Sequence, residues 1–120
     1  MDAEQRLARI ARNEASFRDI NERLRSGLRG VAHPPERLEF ICECGHRDCE
    51  ETIELTFEEY EAVRRDSRHF AVVPGHGIPE AERVIADHGN HQVVEKLGAA
   101  VEVADAQDRR SPGPGGLRDD

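Results

Sequence analysis

The feature that most constrains this chain is the confinement of its three cysteines to eight consecutive positions, Cys42-Glu-Cys44-Gly-His-Arg-Asp-Cys49. A C-x-C-x4-C run is the spacing of a metal knuckle. The intervening Glu43, Gly45, His46, Arg47 and Asp48 belong to a polar turn, so the thiols do not read as small apolar core residues. On a strand, Cys42 and Cys44 would face the same side with Cα atoms about 6.6 Å apart. That separation is at the outer edge of disulfide reach but suits two thiolates converging on one ion. An odd number of clustered cysteines without an export signal also fits a reducing compartment.

The chain has 120 residues, 37% of them apolar, with four Phe, one Tyr and no Trp. It therefore predicts one small folded unit with a thin core, to which a bound ion would add folding free energy. Mean hydropathy is -0.73, and no run approaches the roughly 18 apolar residues of a membrane span. The N-terminus is charged from Asp2 onward and lacks the apolar stretch of a signal peptide, so a cytoplasmic protein is expected.

The net charge of -8 is unevenly placed. Residues 1–30 carry seven Arg against five acids, while residues 31–66 carry four Arg against eleven acids. The acidic middle would repel nucleic-acid phosphates where the cysteines lie, which argues against nucleic-acid binding there. Sixteen arginines against the single Lys96 fit the codon usage of a G+C-rich genome.

Between Ala3 and Leu28, apolar residues recur at Leu7, Ile10, Phe17, Ile20, Leu24 and Leu28, which predicts a long amphipathic helix. Gly27, Gly30 and His33-Pro34-Pro35 end it. Its apolar stripe is expected to pack on its own domain. The alternative is a partner or self-association helix, because Ile10, Phe17 and Leu24 repeat every seven residues.

Arg37 to Cys42 alternates polar and apolar as a half-buried strand, and Thr52-Ile53-Glu54-Leu55 reads as its hairpin partner. Thr56 with Glu59 forms a capping box that starts a helix running to about Asp66. His69 to Val73 is a third strand, stopped by Pro74-Gly75-His76-Gly77. Ala81 to Asp87 and His91 to Lys96 flank His88-Gly89-Asn90 as a β-hairpin, although Pro79-Glu80 could instead start a helix. From Gly98 the composition turns to Ala, Asp, Arg, Gly and Pro, which predicts a disordered tail over 98–120.

Three thiolates around Zn2+ leave one tetrahedral position. His76, aimed from a Pro-Gly turn, is placed first for it, ahead of His46 in the crowded knuckle loop and of water. His69 sits on a strand, and His33, His88 and His91 read as ordinary surface or hydrogen-bonded histidines. Iron clusters usually want four thiolates, which favours zinc. Neither an H-E-x-x-H helix nor an H-x-E with a later P-C-x-x-C is present. An enzyme would need water at the fourth position, with Glu43 or Glu50 as its base.

The chain resembles a group of small, largely uncharacterised proteins of high-G+C Gram-positive bacteria. The resemblance rests on Arg12-Asn13-Glu14, Phe17 to Arg23, Phe40-Ile41-Cys42-Glu43-Cys44-Gly45, Cys49, Ile53 to Thr56 with Glu59-Tyr60, Val73-Pro74-Gly75-His76, and Val93 to Lys96. It covers about residues 6 to 97 and implies Cys42, Cys44, Cys49 and His76 as one set, without implying an activity.

The expected architecture is α+β, with an amphipathic helix in 1–30, a zinc-binding domain in 36–97 and a disordered tail. In that domain the metal joins a small antiparallel sheet with one embedded helix to the turn at His76. The expected role is non-enzymatic, an interaction or regulatory module whose partner is another protein or a second copy through the N-terminal helix. The alternatives are a thiol redox or metal sensor that releases zinc on oxidation, and a metal-dependent enzyme.

Overall fold

The computed structural model describes residues 2–108 except Arg29, Pro34, Arg47 and Ala99, and shows an α+β protein. Helix α1 (Ala3–Gly27) opens on a capping box, with Asp2 accepting the Gln5 N–H at 2.8 Å and Gln5 accepting the Asp2 N–H at 3.2 Å. It closes where the Leu28 N–H turns back onto the Arg25 and Ser26 carbonyls.

The face of α1 that turns inward is only in part the expected apolar stripe: Leu7 packs beside Ile10 and Leu28 against the cluster around Phe40. Ile10 is buried, but its companions are Ala11, Glu14, Ala15, Arg18, Asn21 and Glu22. Ile20 and Leu24 are instead 48% and 37% exposed. Ala11 and Ala15 permit a close approach, and the buried polar side chains find partners on the elements beneath.

Strands β1 (Leu38–Ile41) and β2 (Thr52–Leu55) pair antiparallel with Phe40 opposite Ile53. Leu38, Phe40, Ile53 and Leu55 turn toward helix α2 (Phe57–Arg64), where Phe40 stacks on Tyr60 with ring centroids 4.4 Å apart. The predicted capping box starts α2: Thr56 Oγ1 accepts the Glu59 N–H at 3.1 Å, and Glu59 Oε1 accepts the Thr56 N–H at 2.8 Å.

The remaining strands, β3 (His69–Val72), β4 (Glu82–Asp87) and β5 (Gln92–Lys96), form a second antiparallel sheet in the order β3-β5-β4. There are thus two small sheets where one was expected. Past Ile41 the chain turns into the knuckle, and the Glu43 N–H to Ala71 carbonyl bond, 2.9 Å, is one of the contacts that join this end of β1 to β3. The β4–β5 hairpin forms as strands, closed by the His88 N–H to His91 carbonyl bond of 2.9 Å, with Gly89 at a φ of +86°. A register shift between Val84 and Ala86 marks a bulge at Ile85.

The disordered tail predicted over 98–120 is contradicted in its first part, because Ala100–Ala106 form helix α3 on α1. Alanine is a strong helix former, and Ala100 and Ala104 are buried one turn apart. The Arg18 guanidinium donates to the Ala104 carbonyl at 2.9 Å, and Asp108 pairs with Arg64. Residues 109–120, the rest of that segment, lie outside the described residues. No helix among the described residues is long and apolar enough to cross a membrane.

The chain's one lysine is placed where a compact cation is needed. Lys96 Nζ contacts both Glu14 of α1 and Glu82 of β4, and all three side chains are buried. Burial pushes Lys96 down to about 7 and Glu82 up to about 7. Replacing Lys96 by Met would enclose two carboxylates without a cation and push their folded pKa further up, away from the unfolded value of about 4.3. A carboxyl raised in the folded state stabilises below its unfolded pKa and loses that contribution as pH rises. Lys96→Met is therefore expected to cost about 3 kcal/mol or more near neutral pH. Urea unfolding beside wild type should show a larger deficit near pH 8 than near pH 6; an equal deficit at both would contradict this account.

Candidate metal centre

Beyond β1 the strand-like alternation continues for three residues. Cys42 and Cys44 are buried in one apolar cluster with Phe70, Val72 and Val94, more core-like than the polar loop around them suggests, while Glu43 between them reaches Asn21 and Tyr60. The Asn21 amide caps the end of β1, accepting the Ile41 N–H and donating to the Ile41 carbonyl, both at 2.8 Å. The Cys42 N–H to Glu51 carbonyl bond, 2.9 Å, holds the two ends of the loop together, and the Cys49 N–H to His46 carbonyl bond, 3.1 Å, tightens its tip.

Gly45 is demanded by packing. A Cβ there would lie 2.5 Å from Ile10 Cγ2 and 3.0 Å from Ile78 Cδ1, since α1 and the segment after His76 both press on the knuckle.

His76 arrives from the other sheet. Beyond β3, Val73-Pro74-Gly75-His76 closes a turn through the His76 N–H to Val73 carbonyl bond of 2.9 Å, with Gly75 at a φ of +87°. Proline second and a positive-φ glycine third are the chemistry of a type II turn. This delivers His76 Nδ1 to 3.6 Å from both Cys42 Sγ and Cys49 Sγ. The donor atoms of Cys42, Cys44, Cys49 and His76 all lie within 4.8 Å of one another. For tetrahedral zinc with Zn–S of about 2.3 Å and Zn–N of about 2.0 Å, sulfur and nitrogen would be about 3.6 Å apart. The four donors therefore fit an ion of this kind.

The surroundings orient these ligands. His76 Nε2 faces Glu51 Oε2 at 2.9 Å, which assigns the proton to Nε2 and leaves the Nδ1 lone pair directed at the thiols, as a metal ligand would need. The Val73 N–H donates to Cys42 Sγ at 3.1 Å. Cys44 is drawn down to about 5, chiefly by its hydrogen bond with Cys42, with help from the His46 backbone and the His76 side chain. Cys42 is pushed up by the same bond and then by burial. Burial also pushes Cys49 up. One thiolate is thus favoured while its neighbours are held protonated, and a divalent cation at the centre would favour ionisation of all three.

The other histidines stand elsewhere. His46 is exposed with its ring edge-on to His76, centroids 5.9 Å apart, and is not one of the four converging donors. His88 and His91 stack at the β4–β5 turn, centroids 4.7 Å apart, and His69 faces Asp66 and Glu95. Glu43, a candidate base, is fully buried. Its Oε2 accepts from Asn21 Nδ2 at 2.8 Å and Tyr60 Oη at 2.9 Å, and its Oε1 from the Ala71 N–H at 3.1 Å. Glu50 is exposed. Sequence reasoning missed Glu51, whose only signal is a carboxylate two residues beyond the last cysteine.

Fold and donor set together define a class: a small α+β protein with a Cys3His cluster able to hold a metal ion. Comparison with protein-family models, curated proteins and solved structures returns no match for this chain.

Two substitutions separate the ligand shell from the core. Glu51→Ala is expected to weaken metal retention about 10- to 100-fold against a competing chelator, since the ligand imidazole loses its orienting carboxylate. Unchanged retention would contradict that role. Glu43→Gln is expected to leave metal content unchanged while lowering unfolding free energy by about 1–3 kcal/mol, because one donor loses its acceptor inside the core. Loss of metal with no loss of stability would reverse this assignment.

Proposed function

We propose that this chain is a small zinc-binding protein in which the ion is mainly structural, and that it acts as an interaction or regulatory module. The observation that carries the reading is the convergence of four protein donors from separate segments, Cys42, Cys44 and Cys49 of the knuckle and His76 of the turn after β3. A structural zinc site is closed by four protein ligands, whereas a catalytic one leaves a position to water. Zinc suits this donor set, since thiolates and an imidazole in tetrahedral array match its preferences.

The core supports a structural role. The described apolar clusters are small, and charged side chains occupy much of the buried face of α1. An ion that joins the β1–β2 hairpin to β3 would contribute folding free energy where apolar burial is thin. The commitment of the Glu43 carboxylate to Asn21, Tyr60 and Ala71 takes away the best-placed base for hydrolytic chemistry. For the interaction role, the support is the outer side of α1, where Ile20 and Leu24 face solvent.

Elemental analysis of the reduced, purified protein is the decisive measurement. One zinc per chain is expected, reduced in Cys49→Ser and His76→Ala, with a lower unfolding midpoint after chelation. Freshly prepared, reduced wild type containing no metal would overturn the reading.

A further inference from the structure

A second constellation of ligand side chains lies away from the knuckle. Asp66 follows α2, His69 opens β3, and Glu95 is the register partner of His69 on β5. One donor atom from each lies within 4.8 Å of the other two. His69 Nε2 is 3.0 Å from Glu95 Oε2 and 3.7 Å from Asp66 Oδ2. Side-chain exposures of 20% for His69, 25% for Glu95 and 45% for Asp66 leave the group open to water.

The second oxygen of each carboxylate is held from behind. Asp66 Oδ1 accepts the Arg68 N–H at 2.9 Å, and Glu95 Oε1 accepts from Arg83 Nη2 at 2.9 Å and Nε at 3.2 Å. These contacts turn Oδ2 and Oε2 toward the same ring nitrogen. An Nε2–H proton can serve one acceptor well. Glu95 is within hydrogen-bond reach, whereas Asp66 at 3.7 Å is not. A cation between the three donors would satisfy all of them, and edges of 3.0 and 3.7 Å accommodate an ion about 2.0–2.2 Å from each atom.

We propose that Asp66, His69 and Glu95 form a second metal site, distinct from the cysteine cluster, that takes a first-row divalent cation such as Mn2+ and completes its coordination with water. Its ligands are one imidazole and two carboxylates, so its preference differs from that of the thiolate centre. Thiolates favour zinc, whereas carboxylate and water oxygens suit manganese. The two sites share no residue, so this inference stands apart from the reading of the knuckle.

The test is a titration of the full-length protein, as purified, with Mn2+ followed by electron paramagnetic resonance. One bound Mn2+ per chain is expected, and Glu95→Gln and His69→Ala should each weaken it at least about 10-fold. Zinc content and circular dichroism of the variants, unchanged from wild type, would show that the fold is intact. Should either variant fail to fold, selective Mn2+ broadening of the His69 ring resonances in wild type, ahead of those of His33 and His88, provides the same answer. No saturable binding, or equal binding in wild type and variants, would overturn the proposal and leave the cluster as a histidine ion pair. Broadening spread over the acidic surface would do the same.

Discussion

The Glu43 carboxylate is the contact on which the rest of the structure depends. It lies between two cysteines of the Cys3His cluster, and strand alternation separates its side chain from theirs. Its hydrogen bonds reach Asn21 of α1, Tyr60 of α2 and the Ala71 backbone of β3, so one side chain ties two helices to the second sheet. A fully buried carboxylate is costly unless its lone pairs are used, and burial raises the Glu43 pKa against the pull of these donors and of Arg64. The cysteine cluster and the Glu43 hydrogen bonds are thus carried by the same three consecutive residues.

Buried charge has a general role in this fold. Arg64 pairs with Glu22 and Asp108, Lys96 with Glu14 and Glu82, and Arg18 lies over the Phe70 ring 4.3 Å from its centroid. Such pairs add little net stability over apolar substitutes, because desolvation offsets most of the attraction. Their effect is geometric. Each charge is acceptable only beside its partner, so the arrangement penalises alternatives more strongly than it rewards the native state. A chain with few aromatics thereby obtains specificity that its apolar packing cannot supply alone.

Much of this was legible in the sequence where short-range rules govern. The Thr56–Glu59 capping box, the alternation of the β-strands, the His88-Gly89-Asn90 hairpin and the Pro74-Gly75 turn each follow from chemistry within a few residues. The convergence of Cys42, Cys44, Cys49 and His76 was legible because a tetrahedral site would need a fourth donor, and few residues were placed to provide it. The inward face of α1 was legible only in part. Periodicity marks Phe17, Ile20 and Leu24 as equivalent to a core stripe, while the burial of Glu14, Arg18 and Glu22 depends on partners 42 to 86 residues away. Helix α3 was hidden for a related reason, since its alanines bury little surface and its docking rests on Arg18 and Arg64. The split into two sheets depends on where the ladder yields to the knuckle, which no local pattern encodes.

The charges buried along α1 also fix its register. Glu14, Arg18 and Glu22 follow at intervals of four, one turn apart and alternating in sign. Glu14 meets the Lys96 ammonium and Glu22 the Arg64 guanidinium, while Arg18 between them finds the Ser67 and Ala104 carbonyls and the Phe70 ring. A slip of one turn in either direction would bring Arg18 against Lys96 or Arg64 and enclose like charges without water. An apolar stripe would tolerate that slip far better, since leucine and isoleucine do not distinguish one turn from the next. The same register seats Ile10 over Gly45 and Asn21 at the end of β1. The polar face of α1 therefore determines how the helix closes over the knuckle, and it leaves Ile20 and Leu24 on the outside.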